Sequence, residues 1–128
     1  MKEEYTTTRF VLGPADPRIP EHFFIVTGFN PFGHVVSDEE NIQMNEVLRQ
    51  QIEHEDWYFF KVTGQCEDHA EDGFGIECPR EEAILLGQEF QQDAIYEVRD
   101  DKVILVDCKE EEEDVLVGRW SELLLPSS

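Results

Sequence analysis

His69 and Glu71 lie two residues apart, an imidazole able to take or give a proton near neutral pH beside a carboxylate able to orient it. Grouped with them are neutral donors and acceptors, Asn30, Asn41, Asn45 and Gln92, with Ser37 and Glu40 next to the asparagines in sequence. Such a set suits acid–base chemistry: His69 and Glu71 as the catalytic pair, Glu40 as an alternative partner for the imidazole, and the remaining residues as contacts to a bound molecule. Nucleophile and phosphate-cradle mechanisms lack their signs, because there is no Gly-x-Ser-x-Gly elbow, no Walker loop and no glycine-rich dinucleotide turn. His69-Ala70-Glu71 matches one half of the zinc deaminase signature, but the Pro-Cys-x-x-Cys half is missing and Pro79 follows Cys78. A looser cation site from His69, Glu71 and Asp72 is outweighed by plain solvation of an acidic segment, so no metal is assigned and any cofactor is unknown.

The elements that must position these groups begin with residues 23–29, FFIVTGF, a nearly unbroken β-favouring run that reads as a strand covered on both faces. Asn30-Pro31-Phe32-Gly33 reads as a turn, since a residue before proline avoids helical backbone and glycine tolerates positive φ. Ser37-Asp38-Glu39-Glu40 then matches a capping box, in which Glu40 reaches back to the cap, and opens a helix running to about Ile52. On that helix Asn41, Asn45, Leu48 and Ile52 form one stripe flanked by Met44, so the apolar half forces both asparagines inward. Buried amides need partners, and two readings are open: they brace the Asn30-Pro31 turn, or they meet a ligand in a cleft.

Residues 57–62, WYFFKV, form a second strand in which Lys61 breaks the alternation and is expected at the surface or at a pocket rim. Residues 64–73 are expected as a loop, with residues 74–78 returning as a strand to close an antiparallel hairpin. Pro79 opens a second helix with Ala83, Leu86 and Phe90 inward, and residues 94–98 and 103–106 form two more strands. The fold class is α+β in a single domain: strand, helix, two strands, helix, two strands, a mostly antiparallel sheet with two helices packed on it. Residues 1–20 read as an arm packed on the domain, 21–108 as the core domain, and 109–128 as an acidic, then apolar, C-terminal extension.

Thirty Asp and Glu against ten Lys and Arg give a formal net charge of -20. Conventional nucleic-acid binding is not expected from such a chain, since the sequence has no basic cluster to neutralise phosphates. Solubility or high-salt tolerance is the plain reading of the acidity; docking a basic partner or imitating nucleic acid is the alternative. With a charged N-terminus and no long apolar run, the cytoplasm, away from membranes, is the expected location. The three cysteines, Cys66, Cys78 and Cys108, have no disulfide or zinc spacing and read as small buried hydrophobes. The apolar triplets 115–117 and 123–125 are expected to pack back on the domain or to form a homodimer contact.

An aromatic-rich strand ending in Asn30-Pro31, the Ser37-x-x-Glu40-Asn41 helix start with Asn45, and the run Leu86-Gly-x-x-Phe90-x-Gln92-x-Ala94-Ile95 together resemble the bacterial family called domain of unknown function 3293. The resemblance spans about residues 5–108 and marks Asn30, Asn41, Asn45, His69, Glu71 and Gln92 as matching positions. Gln91 departs from it, standing where the family often has glycine, and the tail beyond Cys108 is an addition. The family carries no activity to transfer. The leading expectation is a small-ligand or peptide-binding module with a polar cleft near the N-terminus of the first helix, ahead of an acidic interaction protein and of a small acid–base enzyme using His69.

Overall fold

The computed structural model describes residues 8–13, 17–30, 35–66 and 69–126, the side chains of Cys66 and His69 excepted. In chain order the elements are β1 (Arg9–Leu12), β2 (His22–Val26), α1 (Asp38–His54), β3 (Tyr58–Cys66), β4 (His69–Glu77), α2 (Arg80–Glu89), β5 (Ala94–Arg99), β6 (Lys102–Asp107), β7 (Val115–Arg119) and α3 (Trp120–Leu123). The seven strands make one sheet in the order β1-β3-β4-β2-β5-β6-β7, with every neighbouring pair antiparallel. Strands β2 and β3 are therefore parallel to each other across β4, and β4 and β5 are parallel across β2. Helices α1 and α2 each make a crossover, giving the split βαβ, ferredoxin-like, arrangement widened by β1 on one side and β6–β7 on the other.

Both faces of the sheet are buried, by different means. On one face Phe24, Val26, Phe74, Ile76 and Ile95 meet Leu48 and Ile52 of α1 and Ala83, Ile84 and Leu86 of α2. On the other, Phe23, Phe60, Val62, Val98 and Val103 are closed over by Phe10, Trp120 and Leu123. The sheet curls enough for its far ends to meet: Phe10 of β1 bridges Leu124, and the Leu125 N–H donates to the Phe10 carbonyl at 2.7 Å. Trp120 packs on Phe10 at 5.5 Å and edge-on to Phe23 at 5.3 Å between ring centroids.

The α+β expectation holds, but the element order is longer than the periodicity gives. Strand β1 lies inside the segment read as an arm, and β7 with α3 lies inside the segment read as an extension. A short third helix of four residues joins the two expected ones. Residues 64–66 and 69–73 are strand rather than loop: the β3–β4 ladder runs from Tyr58 opposite Glu77 to Cys66 opposite His69, and residues 67 and 68 of the expected loop lie outside the described residues. Their polarity disguised a strand whose cross-strand contacts are themselves polar, as where the Thr63 hydroxyl donates to Asp72 Oδ1 at 2.8 Å. Pairing of β1 along Arg9 to Leu12 then covers the outer edge of β3.

Two glycines set close approaches. A Cβ on Gly28 would meet the Met44 carbonyl carbon at 3.0 Å, so the exit of β2 can lie directly on the α1 backbone. One on Gly87 would meet Cys108 Sγ at 2.5 Å, where α2 rests on the sheet. Helix α2 ends in a Schellman motif: the Gln92 N–H donates to Gly87 O at 2.8 Å and the Gln91 N–H to Gln88 O at 3.1 Å. This puts Gln91 at φ 57, the left-handed conformation that favours glycine.

Candidate functional site

The segment leaving β2 is held by amide side chains from two other elements. Asn45 Oδ1 accepts from the Gly28 N–H at 3.0 Å, and Asn41 Oδ1 accepts from the Asn30 N–H at 2.8 Å. Gln92 Nε2 donates to Phe29 O at 3.0 Å and to Phe90 O at 3.2 Å. Asn30, at φ 47, is the hub: its Oδ1 accepts from the Val36 N–H and from Asn41 Nδ2, and its Nδ2 donates to Glu71 Oε2 at 2.9 Å. Asparagine suits this place because it tolerates the left-handed conformation and carries both a donor and an acceptor.

Asn30, Asn41, Asn45, Glu71 and Gln92 therefore converge. The Asn30 turn itself falls on residues 31–34, which lie outside the described residues. Ser37 acts as the helix cap, accepting from the Glu40 N–H at 3.2 Å, while the Glu40 side chain makes no return bond among the described residues, so only half of the expected capping box forms. The backbone of His69 sits in β4 opposite Cys66, but its side chain lies outside the described residues. Among the described residues no three His, Cys, Asp or Glu side chains gather into a metal set.

Beside this lattice an open groove of about 440 Å³ runs between α1 and the hairpin of β3 and β4. Phe29 and Phe74 give it an apolar floor, Ile42, Asn45, Glu46 and Arg49 line the helix side, and Lys61, Thr63 and Asp72 line the hairpin side. Arg49 is clamped by Glu46 and Glu53; the hydrogen bond from Arg49 holds the Glu46 carboxyl below its ordinary pKa and raises that of the guanidinium. Two donors make no hydrogen bond with a described residue. Asn45 Oδ1 must face the Gly28 N–H, which leaves Nδ2 without a partner among the described residues, and the exposed Lys61 ammonium bonds to none of them, acting on the Glu46 carboxylate only through space.

Sequence reasoning missed a second polar centre. Glu97 is buried in the helix-covered face of β5, its Oε2 2.6 Å from His22 Nε2 and its Oε1 receiving Arg80 Nη1 at 2.5 Å. Arg80 also donates to both oxygens of Asp114, at 3.0 and 3.1 Å. A lone acid inside the apolar run of β5 was the available signal. Cys108 conforms to the buried hydrophobic reading and Cys78 is half-buried, burial pushing both thiols up to about 12, while the Cys66 side chain lies outside the described residues.

No described helix is long and apolar enough to cross a membrane. A family model described as "Protein of unknown function (DUF3293)" matches residues 26–95, more than half of the chain and less than the span of about 5–108 expected from the motifs. The match contains the whole amide lattice and both flanks of the groove; it leaves out β1, β6, β7 and α3 and most of β2 and β5. No curated protein and no solved structure matches the chain.

Proposed function

The chain belongs to the DUF3293 family, whose description names no activity, and we propose from the geometry that it is a small-ligand or peptide-binding module whose ligand lies in the groove between α1 and the β3–β4 hairpin. What supports this reading is that two donors among the groove's lining residues, Lys61 and Asn45 Nδ2, make no hydrogen bond with a described residue and lie beside the apolar Phe29 and Phe74. Apolar walls with a few convergent polar groups are the usual make-up of a small-molecule site. Because both free groups donate, the ligand they suit has an apolar body and an acceptor end, such as a carboxylate. The neighbouring amides play the supporting part: with residues 28–30 pinned by Asn41, Asn45 and Gln92, the Phe29 floor is rigid before any ligand arrives, which reduces the ordering cost of binding.

Thermal-shift screening against small carboxylates and short peptides tests the assignment. Ligands that stabilise the parent should bind about tenfold more weakly to Lys61→Gln and to Asn45→Ala, the loss expected when one charge-assisted or buried hydrogen bond disappears. If both variants keep the parent's ligand-induced shifts, the groove is not the site.

A further inference from the structure

Arg99, Lys102 and Arg119 are scattered in sequence but share one row of the sheet: Arg99 is directly opposite Lys102, and Lys102 directly opposite Arg119. Directly opposed residues point to the same face, so the three long side chains stand together, with His22 opposite Arg99 extending the row. All three cations are exposed, and none makes a hydrogen bond or ion pair with a described residue.

Like charges directly opposite each other in a sheet are unfavourable, and this chain holds three acids for every base with which to relieve them. Elsewhere it pairs cations with acids: Arg18, Arg49, Arg80 and Lys109 all have acidic partners. At the row the acids at hand are committed elsewhere. Both oxygens of Glu97, one step inward on the same face, are taken by His22 and Arg80. Asp101, in the turn between β5 and β6, receives the Ser121 N–H at 2.9 Å and the Ser121 hydroxyl at 2.8 Å, and it reaches Arg119 only through space. Its neighbour Asp100 bonds to none of the three. Protection of a sheet edge by basic residues would account for Arg119 on the edge strand β7, but β5 and β6 are interior strands.

We propose that this row is a binding site for a polyvalent oxyanion, specifically the diphosphate group of a small molecule. Two strand spacings, about 10 Å, separate the outer arginines, a distance over which two guanidinium forks and a central ammonium converge on one anion. A single carboxylate would leave most of the positive charge unmatched; a diphosphate balances it and offers enough oxygens for both forks. The row lies away from the groove between α1 and the hairpin, so the two sites stand or fall separately. At about 0.1 M salt the remote acidic surface is screened beyond roughly 10 Å, while the row's own charges still act together.

Calorimetric titration of the full chain with inorganic pyrophosphate, orthophosphate and acetate at matched ionic strength provides the test. Saturable binding in the order pyrophosphate, orthophosphate, acetate is expected, with affinity for pyrophosphate falling about tenfold or more in Arg99→Gln and again in Arg99→Gln/Arg119→Gln. Lys61→Gln should bind pyrophosphate like the parent. These side chains are exposed and unpaired, so the variants should melt like the parent, and circular dichroism verifies it. Equal heats from all three salts, or pyrophosphate binding retained in the double variant, would overturn the assignment.

Discussion

The two ends of the sheet solve the burial of polar groups in opposite ways. At the end where β2 leaves toward α1, the polar groups are neutral amides, and they grip the main chain: Gly28, Phe29 and Asn30 each engage a different side chain. At the other end they are ions. Glu97 holds His22 and Arg80 in a buried cluster, and the side chains of the row of Arg99, Lys102 and Arg119 bond to none of the described residues. Amides bonded to backbone fix a shape, because a short directional bond leaves little room for alternatives. Unpaired charges fix no shape and remain available to a partner from solution. The first end therefore reads as scaffold for the neighbouring groove, and the second as recognition.

The largest effect should come from Glu97→Ala, which strips Arg80 and His22 of their shared buried anchor and opens a void. A loss of about 3 kcal/mol in urea unfolding is expected, moderated because Arg80 and His22 are half exposed and can rehydrate. Part of that loss should shrink in high salt. Asn41→Ala removes both bonds between Asn41 and Asn30 and leaves the Asn30 N–H unsatisfied, so about 2 kcal/mol should be lost. That loss should be the same in low and high salt; a strong salt dependence would erase the contrast between the two ends.

Asp107 supplies a pH handle at the amide end. Burial works against its ionisation, but N–H groups of Lys109, Glu112 and Glu111 donating to its oxygens prevail and hold its pKa below the ordinary aspartate value. A carboxylate with a lowered folded-state pKa stabilises fully above about pH 5 and loses that contribution as pH falls through the folded value. Hydrogen exchange at the Glu111 and Glu112 amides should thus lose protection on acidification, whereas the Gly28 amide, held by neutral Asn45, should keep it. Smallest of all, Gln91→Gly should gain up to about 1 kcal/mol by relieving the left-handed residue that ends α2. A loss instead would mean that Gln91 has a role the helix terminus does not explain.

Much of this was legible residue by residue. The stripe Asn41, Asn45, Leu48, Ile52 predicted inward asparagines, and Asn41 is buried and Asn45 half-buried on the expected side. Lys61 as a break in the alternation does lie at the rim of a groove. Residues 64–66 and 69–73 were misread because sequence polarity reports solvent contact, and a strand held by its ladder bonds can carry polar side chains without ceasing to be a strand. The tail was opaque for a different reason: Trp120 and Leu123 look like surplus apolar residues until the curl of the sheet brings β1 around to receive them.

Periodicity along the chain reports which side of an element faces apolar surroundings, and from it the sequence by itself determined the α+β class, the two long helices and the side on which the amides stand. Partner choice it left undetermined. Which atoms those amides grip, which residues close the second face of the sheet and which cations line up in one row are set by strand register and sheet curvature. Those depend on all seven strands pairing at once, so only the tertiary structure decided them.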